Sequence, residues 1–258
     1  MVLSQYEQAA IRAFYVRVGS LKRVGRELGY SPNTVKKYVQ DEYTVNSQNI
    51  VRSVCSTDER LIGLYVGLWM GDGTQYVSDG CYTIKICLDS RNTSLVLLVQ
   101  KLFIDLFGCT SWIMSEKNNN RGSVKAYSVF IYNWISNYCF FASDKTSSVG
   151  LLHHNYSNSF FEGVLLGLML SDGHISSHAR FHVISERLAR DMHYILCMFG
   201  FSPSFRLQSR KPVNWRSIYQ VYLSRKETVL LRELLDVICL KVSRKDFLSM
   251  KQNDPPGI

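Results

Sequence analysis

Gly63-Leu-Tyr-Val-Gly67-Leu-Trp-Met-Gly71-Asp72-Gly73 returns farther along the chain as Gly163-Val-Leu-Leu-Gly167-Leu-Met-Leu-Ser171-Asp172-Gly173. In both stretches small residues stand at i, i+4 and i+8, one face of a helix, and everything between them is apolar. Glycine inside a helix costs about 1 kcal/mol relative to alanine, so a run of them needs an offsetting gain. That gain is the close approach of one backbone to another, which larger side chains prevent. Gly73 and Gly173 then stand at the usual C-cap position. The aspartate before each is badly placed, because a helix C-terminus repels negative charge. Two such helices side by side bring two carboxylates together, an arrangement that calls for a cation. Asp72 and Asp172 are therefore candidate metal ligands. The backbone carbonyls of Gly71 and Ser171, beside such small side chains, are candidates to join them.

Outward from the motif, composition agrees with a site of this kind. The 258 residues are 46% hydrophobic, enough for one large core or two smaller ones. Lys+Arg 30 against Asp+Glu 21 gives a net charge of +9, which favours a polyanionic partner such as nucleic acid. Seven cysteines without a CxxC pair argue against a disulfide framework and against a zinc site. The apolar runs near 61–71 and 164–170 are too short to span a bilayer. No signal peptide is recognised at the start of the sequence. A cytoplasmic location is expected, or a nuclear or organellar one in a eukaryote, with no membrane partner and no secretion.

The opening residues read as a separate module. An amphipathic helix is expected over about 4–18, with Ile11, Phe14 and Val18 on one face. Ser20 then caps a short helix that stops at Gly29, and Ser31-Pro32 opens another. Three helices with a glycine turn between the last two resemble a helix-turn-helix domain, with Leu21, Val24, Leu28, Val35 and Val39 as its core. Asn33, Thr34, Lys36 and Lys37 would then project toward base edges and phosphates. Residues 42–56 are polar, lack periodicity and read as a linker.

Each motif leads into the same order of elements. After Gly73, extended stretches at about 74–78 and 81–88 run on to a helix at 93–107. A hairpin at 110–116 and 124–132 and a short aromatic helix at 134–141 come next. After Gly173 come a strand near 179–185, a helix near 186–199, a hairpin at 204–210 and 218–224, and a helix at 225–238. The order helix-strand-strand-helix-strand-strand-helix, repeated, is an internal duplication of α+β units. In the second hairpin Arg206, Gln208 and Arg210 alternate with apolar residues, as do Gln220 and Tyr222. Such strands place one face on helices and offer arginine and glutamine to a DNA groove. Lys85, Lys125, Arg180 and His182 lie on strands and share that expectation. His174, His178 and His182 invite comparison with a metal cluster, but extended backbone does not hold i and i+4 residues on one ion, so a surface or DNA-facing role is expected.

The two motifs resemble those of the LAGLIDADG homing endonuclease family, in spacing, in the Asp-Gly ending, in duplication and in the elements after them. The resemblance covers about residues 57–240 and is to the single-chain, two-motif members. It implies two pseudo-symmetric units whose motif helices form the interface and whose sheets make a saddle over double-stranded DNA, in a monomer with an internal pseudo-two-fold axis. The expected division is a helix-turn-helix domain at 1–45, a linker at 46–56, and units at 57–145 and 146–258. Asp72 and Asp172 would bind Mg²⁺, with Mn²⁺ substituting and Ca²⁺ binding without turnover, and would serve the two strands of a cut that leaves staggered ends. Phosphodiester hydrolysis needs an activated water and neutralised charge, which carboxylates with a hard divalent ion supply. Basic residues of the sheets assist in this family. Arg225 and Lys226, at the expected end of the last strand, are candidate catalytic residues, whereas the matching place in the first half falls near Asn133. The Asp172 half is thus expected to hold the fuller site, and the strands to be cut at unequal rates. A DNA-binding transcriptional regulator that cuts nothing, or an intron RNA maturase, remains open on the same scaffold. Loss of the acidic residues marks those roles, and both aspartates are present here.

Overall fold

The computed structural model describes residues 3–18, 20–39, 53–78, 80–115, 120–208 and 216–242. Most of the expected linker, Arg210, and the basic stretch after Val242 lie outside the described residues.

Three helices open the chain: α1 (Gln5–Val18), α2 (Leu21–Leu28) and α3 (Pro32–Tyr38). Ser20 and Ser31 cap the second and third, accepting from the Arg23 and Thr34 amides, and Gly29 turns between them at φ 74°. Val24, Val35 and Val39 are buried together with Ile11, as the pattern implied, while Leu21 and Leu28 are only partly covered. Leu3 and Tyr15 complete this small core.

The first unit comprises α4 (Glu59–Asp72), β1 (Gly73–Ser78), β2 (Cys81–Asp89), α5 (Thr93–Phe107), β3 (Trp112–Ser115), β4 (Arg121–Tyr127) and α6 (Val129–Trp134). A connecting segment holds β5 (Cys139–Phe140), α7 (Lys145–Ser148) and β6 (Gly150–Leu151), β5 and β6 forming a two-stranded ribbon. The second unit repeats the first as α8 (Asn158–Ser171), β7 (Gly173–Ile175), β8 (Ala179–Val183), α9 (Glu186–Met198), β9 (Ser204–Gln208), β10 (Ile218–Tyr222) and α10 (Arg225–Lys241). Both sheets are antiparallel, in the equivalent orders β1-β2-β4-β3 and β7-β8-β10-β9. The fold is thus mixed α and β, two copies of one unit. The boundary expected between residues 145 and 146 falls inside α7.

α4 and α8 pack backbone against backbone through the small-residue face. A methyl group on Gly67 would stand 2.5 Å from the Val164 carbonyl oxygen and 3.1 Å from the Gly167 Cα. One on Gly167 would meet the Leu64 carbonyl oxygen at 2.5 Å. The apolar residues between the glycines face both units and join one buried cluster that runs from Ile62 to Val242. Glu162 ties the arrangement at its other end: Arg60 Nε donates to it at 2.6 Å and Lys241 Nζ at 2.5 Å, linking α4, α8 and α10.

Several expectations shift. Gly73 is the C-cap of α4, in extended conformation at φ −78° and ψ 150°, whereas the cap of α8 is Asp172 and not Gly173; both glycines open a strand. Glycine is required there because a methyl group would stand 2.6 Å from the Cα of Trp69 or of Met169. The hairpin strand placed at 124–132 is β4, which ends at Tyr127, and a helix begins where Ser128 Oγ accepts from the Ile131 amide at 3.2 Å. β10 likewise ends at Tyr222, because Ser224 and Glu227 form a capping box that starts α10. In both places a side-chain cap overrides an alternation that reads on as strand.

Candidate active site

The packing of α4 on α8 sets the two aspartates. Asp72 is the last residue of α4 and Asp172 the C-cap of α8, and a methyl group on Gly71 would stand 3.0 Å from Asp172 Oδ2. Asp72, Asp172, Gly71, Cys87, Lys145 and His182 line one cavity of about 510 Å³ where the two units meet. The aspartates marked out by sequence are therefore neighbours at a shared surface.

Lys145 carries no motif and was not among the residues expected at the site. The connecting segment delivers it from α7. Its neighbour Asp144 accepts from Ser147 Oγ at 2.8 Å and pairs with Arg216, which anchors the short helix. From there Lys145 Nζ donates to the carbonyls of Met70 at 2.8 Å and Gly71 at 3.3 Å, and lies 4.9 Å from the centre of the Trp69 ring. Burial pulls its pKa down to about 8, and the negative charges of Asp172 and Asp72 work against that pull. A buried ammonium near two carboxylates was not legible in Asp144-Lys145-Thr146, which reads as a polar loop.

The first sheet leads into this point. Lys85 on β2 stands directly opposite Lys125 on β4, and Lys125 Nζ lies 4.7 Å over the Tyr127 ring. Like charges directly opposite on adjacent strands repel, so this pair favours an anion between or above it. Both lysines and Asp72 line a second cavity of about 750 Å³ on the open face of the sheet. On the second sheet Arg180 stands opposite His174 and Tyr222, with its guanidinium 6.0 Å from the Tyr222 ring. Gln220 lies between His182 and Arg206 in the ladder, and its Nε2 donates to the Gln208 side-chain oxygen. Arg206, Gln208, Gln220 and Tyr222 thus share one face with Arg180 and His182, as the alternation implied. His178 stacks on Tyr222. In α3, Asn33, Lys36 and Lys37 are exposed, while the Thr34 hydroxyl is engaged with Ser31 Oγ at 2.8 Å.

Arg225 and Lys226 do not stand by Asp172. Gly173 pairs with Phe181 and Phe181 with Val221, whereas the chain continues from Val221 away from that rung into the first turn of α10. Four residues of extended chain put them roughly 13 Å along the sheet. With the Ser128 and Ser224 caps aligned, their first-unit counterparts are Val129 and Phe130, not the neighbourhood of Asn133. Lys85 and Lys125 thus lie with Asp72, while Lys145 stands near both aspartates, so the Asp72 half has basic residues of its own beside the cavity.

Among the described residues no group of three or more His, Cys, Asp or Glu side chains forms a cage for a metal ion. Two carboxylates in an open cavity fit instead a hard cation that completes its shell with water and substrate oxygens, as Mg²⁺ does. The Gly71 carbonyl, one of the expected ligands, already accepts from Lys145.

The sequence matches no family model and no curated protein. Solved structures are similar to it. A structure described as mesophilic variants of the homing endonuclease I-DmoI superposes with TM-score 0.53 at 15% identity, over 70% of this chain and 97% of that one. I-DmoI in complex with DNA and Mn gives TM-score 0.53 at 15% identity, over 69% and 97%. I-DmoI with DNA and Ca gives TM-score 0.53 at 15% identity, over 70% and 91%. The chain therefore has the LAGLIDADG fold that its doubled motif resembles.

Proposed function

We propose that this chain is a site-specific endonuclease of double-stranded DNA, hydrolysing one phosphodiester bond in each strand and leaving staggered ends. One observation carries the reading: Asp72 and Asp172, at the ends of two helices packed through glycine, face a common cavity between two sheets with cationic faces. The complexes of I-DmoI with DNA and with Mn or Ca support it.

Asp72 and Asp172 hold a divalent ion, Mg²⁺ with Mn²⁺ able to replace it and Ca²⁺ binding without turnover. Such an ion, when bound, neutralises the scissile phosphate and makes its water more acidic. Lys85 and Lys125 draw the backbone of one strand toward Asp72. Lys145 adds positive charge where negative charge develops on the phosphate. The helices α1–α3 form a DNA-binding helix-turn-helix that extends the recognised sequence, with Asn33, Thr34, Lys36 and Lys37 facing the duplex.

A supercoiled plasmid bearing the target tests this directly. Asp72→Asn and Asp172→Asn single variants are each expected to leave nicked circles, or intact plasmid, in Mg²⁺. Linear product from either single variant at the unaltered rate would exclude the assigned roles. A second reading, a DNA-binding regulator that does not cut, has one observation in its favour: the Lys145 ammonium already supplies positive charge to both carboxylates. On that reading the unaltered chain binds one duplex specifically and gives no product with any divalent ion.

A further inference from the structure

The two sheets offer different chemistry on the faces that meet the cavities. On the first, Trp112 stands opposite Lys125, Met114 opposite Ser123, and Tyr76 opposite Thr83, so all three share the face of Lys85 and Lys125. They are 42%, 51% and 41% exposed. A sheet face turned to water alone carries polar residues, and large apolar side chains gathered on it mark a contact surface. Their lysine neighbours say what the contact is: a polyanion whose backbone meets the cations while something apolar meets the rings and the thioether.

The second sheet departs at the matching rungs. Gly73 and Gly173 align the two ladders, with Val124 and Val221 on their rungs, so Ser123 corresponds to Gln220 and Met114 to Arg206. Arg206 and Gln208 are exposed, and Gln220 donates to Gln208. Arginine pairs with guanine O6 and N7, and glutamine with adenine N6 and N7, whereas thymine alone presents a methyl group in the major groove.

From this difference, and resting on the proposed binding of duplex DNA, we infer that the two halves of the target are read by different means. The first sheet recognises thymine-rich sequence through 5-methyl groups packed on Tyr76, Trp112 and Met114, its lysines positioning the backbone without reading bases. The second sheet recognises purines by hydrogen bonds from Arg206, Gln208 and Gln220.

Replacing thymidine by deoxyuridine removes the methyl and leaves every hydrogen bond in place. Duplexes are first selected from a randomised library for binding to the full chain in Ca²⁺, then remade with deoxyuridine in one half at a time. In one half the substitution weakens binding by about fourfold per contacted methyl; in the other it has no effect. A Trp112→Ala/Met114→Ala variant, whose side chains leave the core untouched, loses that sensitivity while keeping its melting temperature. Arg206→Ala relaxes base preference only in the insensitive half. Equal sensitivity of the two halves, insensitivity of both, or a variant that still discriminates deoxyuridine would overturn the inference and leave DNA binding standing. Selection that returns no duplex would overturn both.

Discussion

Lys145 and the two aspartates show what a single residue discloses and what it withholds. Asp72 and Asp172 were legible because the oddity lies in their own local sequence, an acid at a helix C-terminus after a run of small residues. Lys145 has no local oddity; its place beside Met70 and Gly71 comes from the path of the connecting segment, which only tertiary structure defines. Arg225 and Lys226 fail for the opposite reason, a strand read too far past a serine cap. The Ser224-xx-Glu227 capping box was present in the sequence and is the signal that corrects them. Loss of one preorganised charge that acts on developing negative charge costs about 10²–10³ in rate. Lys145→Met is therefore expected to slow cleavage by about that factor while duplex affinity in Ca²⁺ changes little. An unchanged cleavage rate in the variant would remove Lys145 from the chemistry.

Among the elements, the helix pair is the best-written part of the sequence. The i, i+4, i+8 spacing specified the contact face, and the structure realises it with atoms that leave no room for a methyl group. Overpacking a tight interior costs about 1–3 kcal/mol, and here the opposing atoms are backbone, which cannot swing aside. Gly67→Ala is expected to lower stability by at least that much, read as a fall in melting temperature; a Tm equal to that of the unaltered chain would mean the helices are not in backbone contact. Strand ends were less legible than helix faces, since Phe130, Ile131 and Tyr132 suit either period until Ser128 caps a helix. The Glu162 tie also escaped notice, because Arg60 and Lys241 are distant in sequence. Burial pushes the Glu162 carboxyl up, but hydrogen bonds from Lys241 and Arg60 prevail and hold it below its ordinary 4.5. A carboxyl depressed in the folded state adds stability above its unfolded pKa and loses it as pH falls through the folded value. Denaturant titrations from pH 6 downward should thus show a loss of stability that begins near pH 4.5 and is diminished in Glu162→Gln. Parallel curves for the two proteins would assign the acid sensitivity elsewhere.

For the molecule as a whole, duplication was the most legible property and asymmetry the least. The two units share element order and strand order, so pattern matching along the chain found both. The halves differ in what they bring to the shared centre: Lys85 and Lys125 opposite each other beside Asp72, against Arg180, His182 and Gln220 on the Asp172 side. That contrast depends on strand register, which alternation alone leaves open to a shift by two residues. The net charge of +9 suits a duplex partner but does not say whether the duplex is cut.

Cleavage separates an endonuclease from the non-cutting roles open to this scaffold. A randomised duplex library is incubated in Mg²⁺ and the ends are sequenced, with an Asp72→Asn/Asp172→Asn variant alongside. Staggered ends at one long consensus are expected, absent from the variant, with a shorter consensus when residues 1–45 are removed. Ends without a consensus, ends equally abundant in the variant, or intact duplexes throughout would contradict the assignment of an endonuclease.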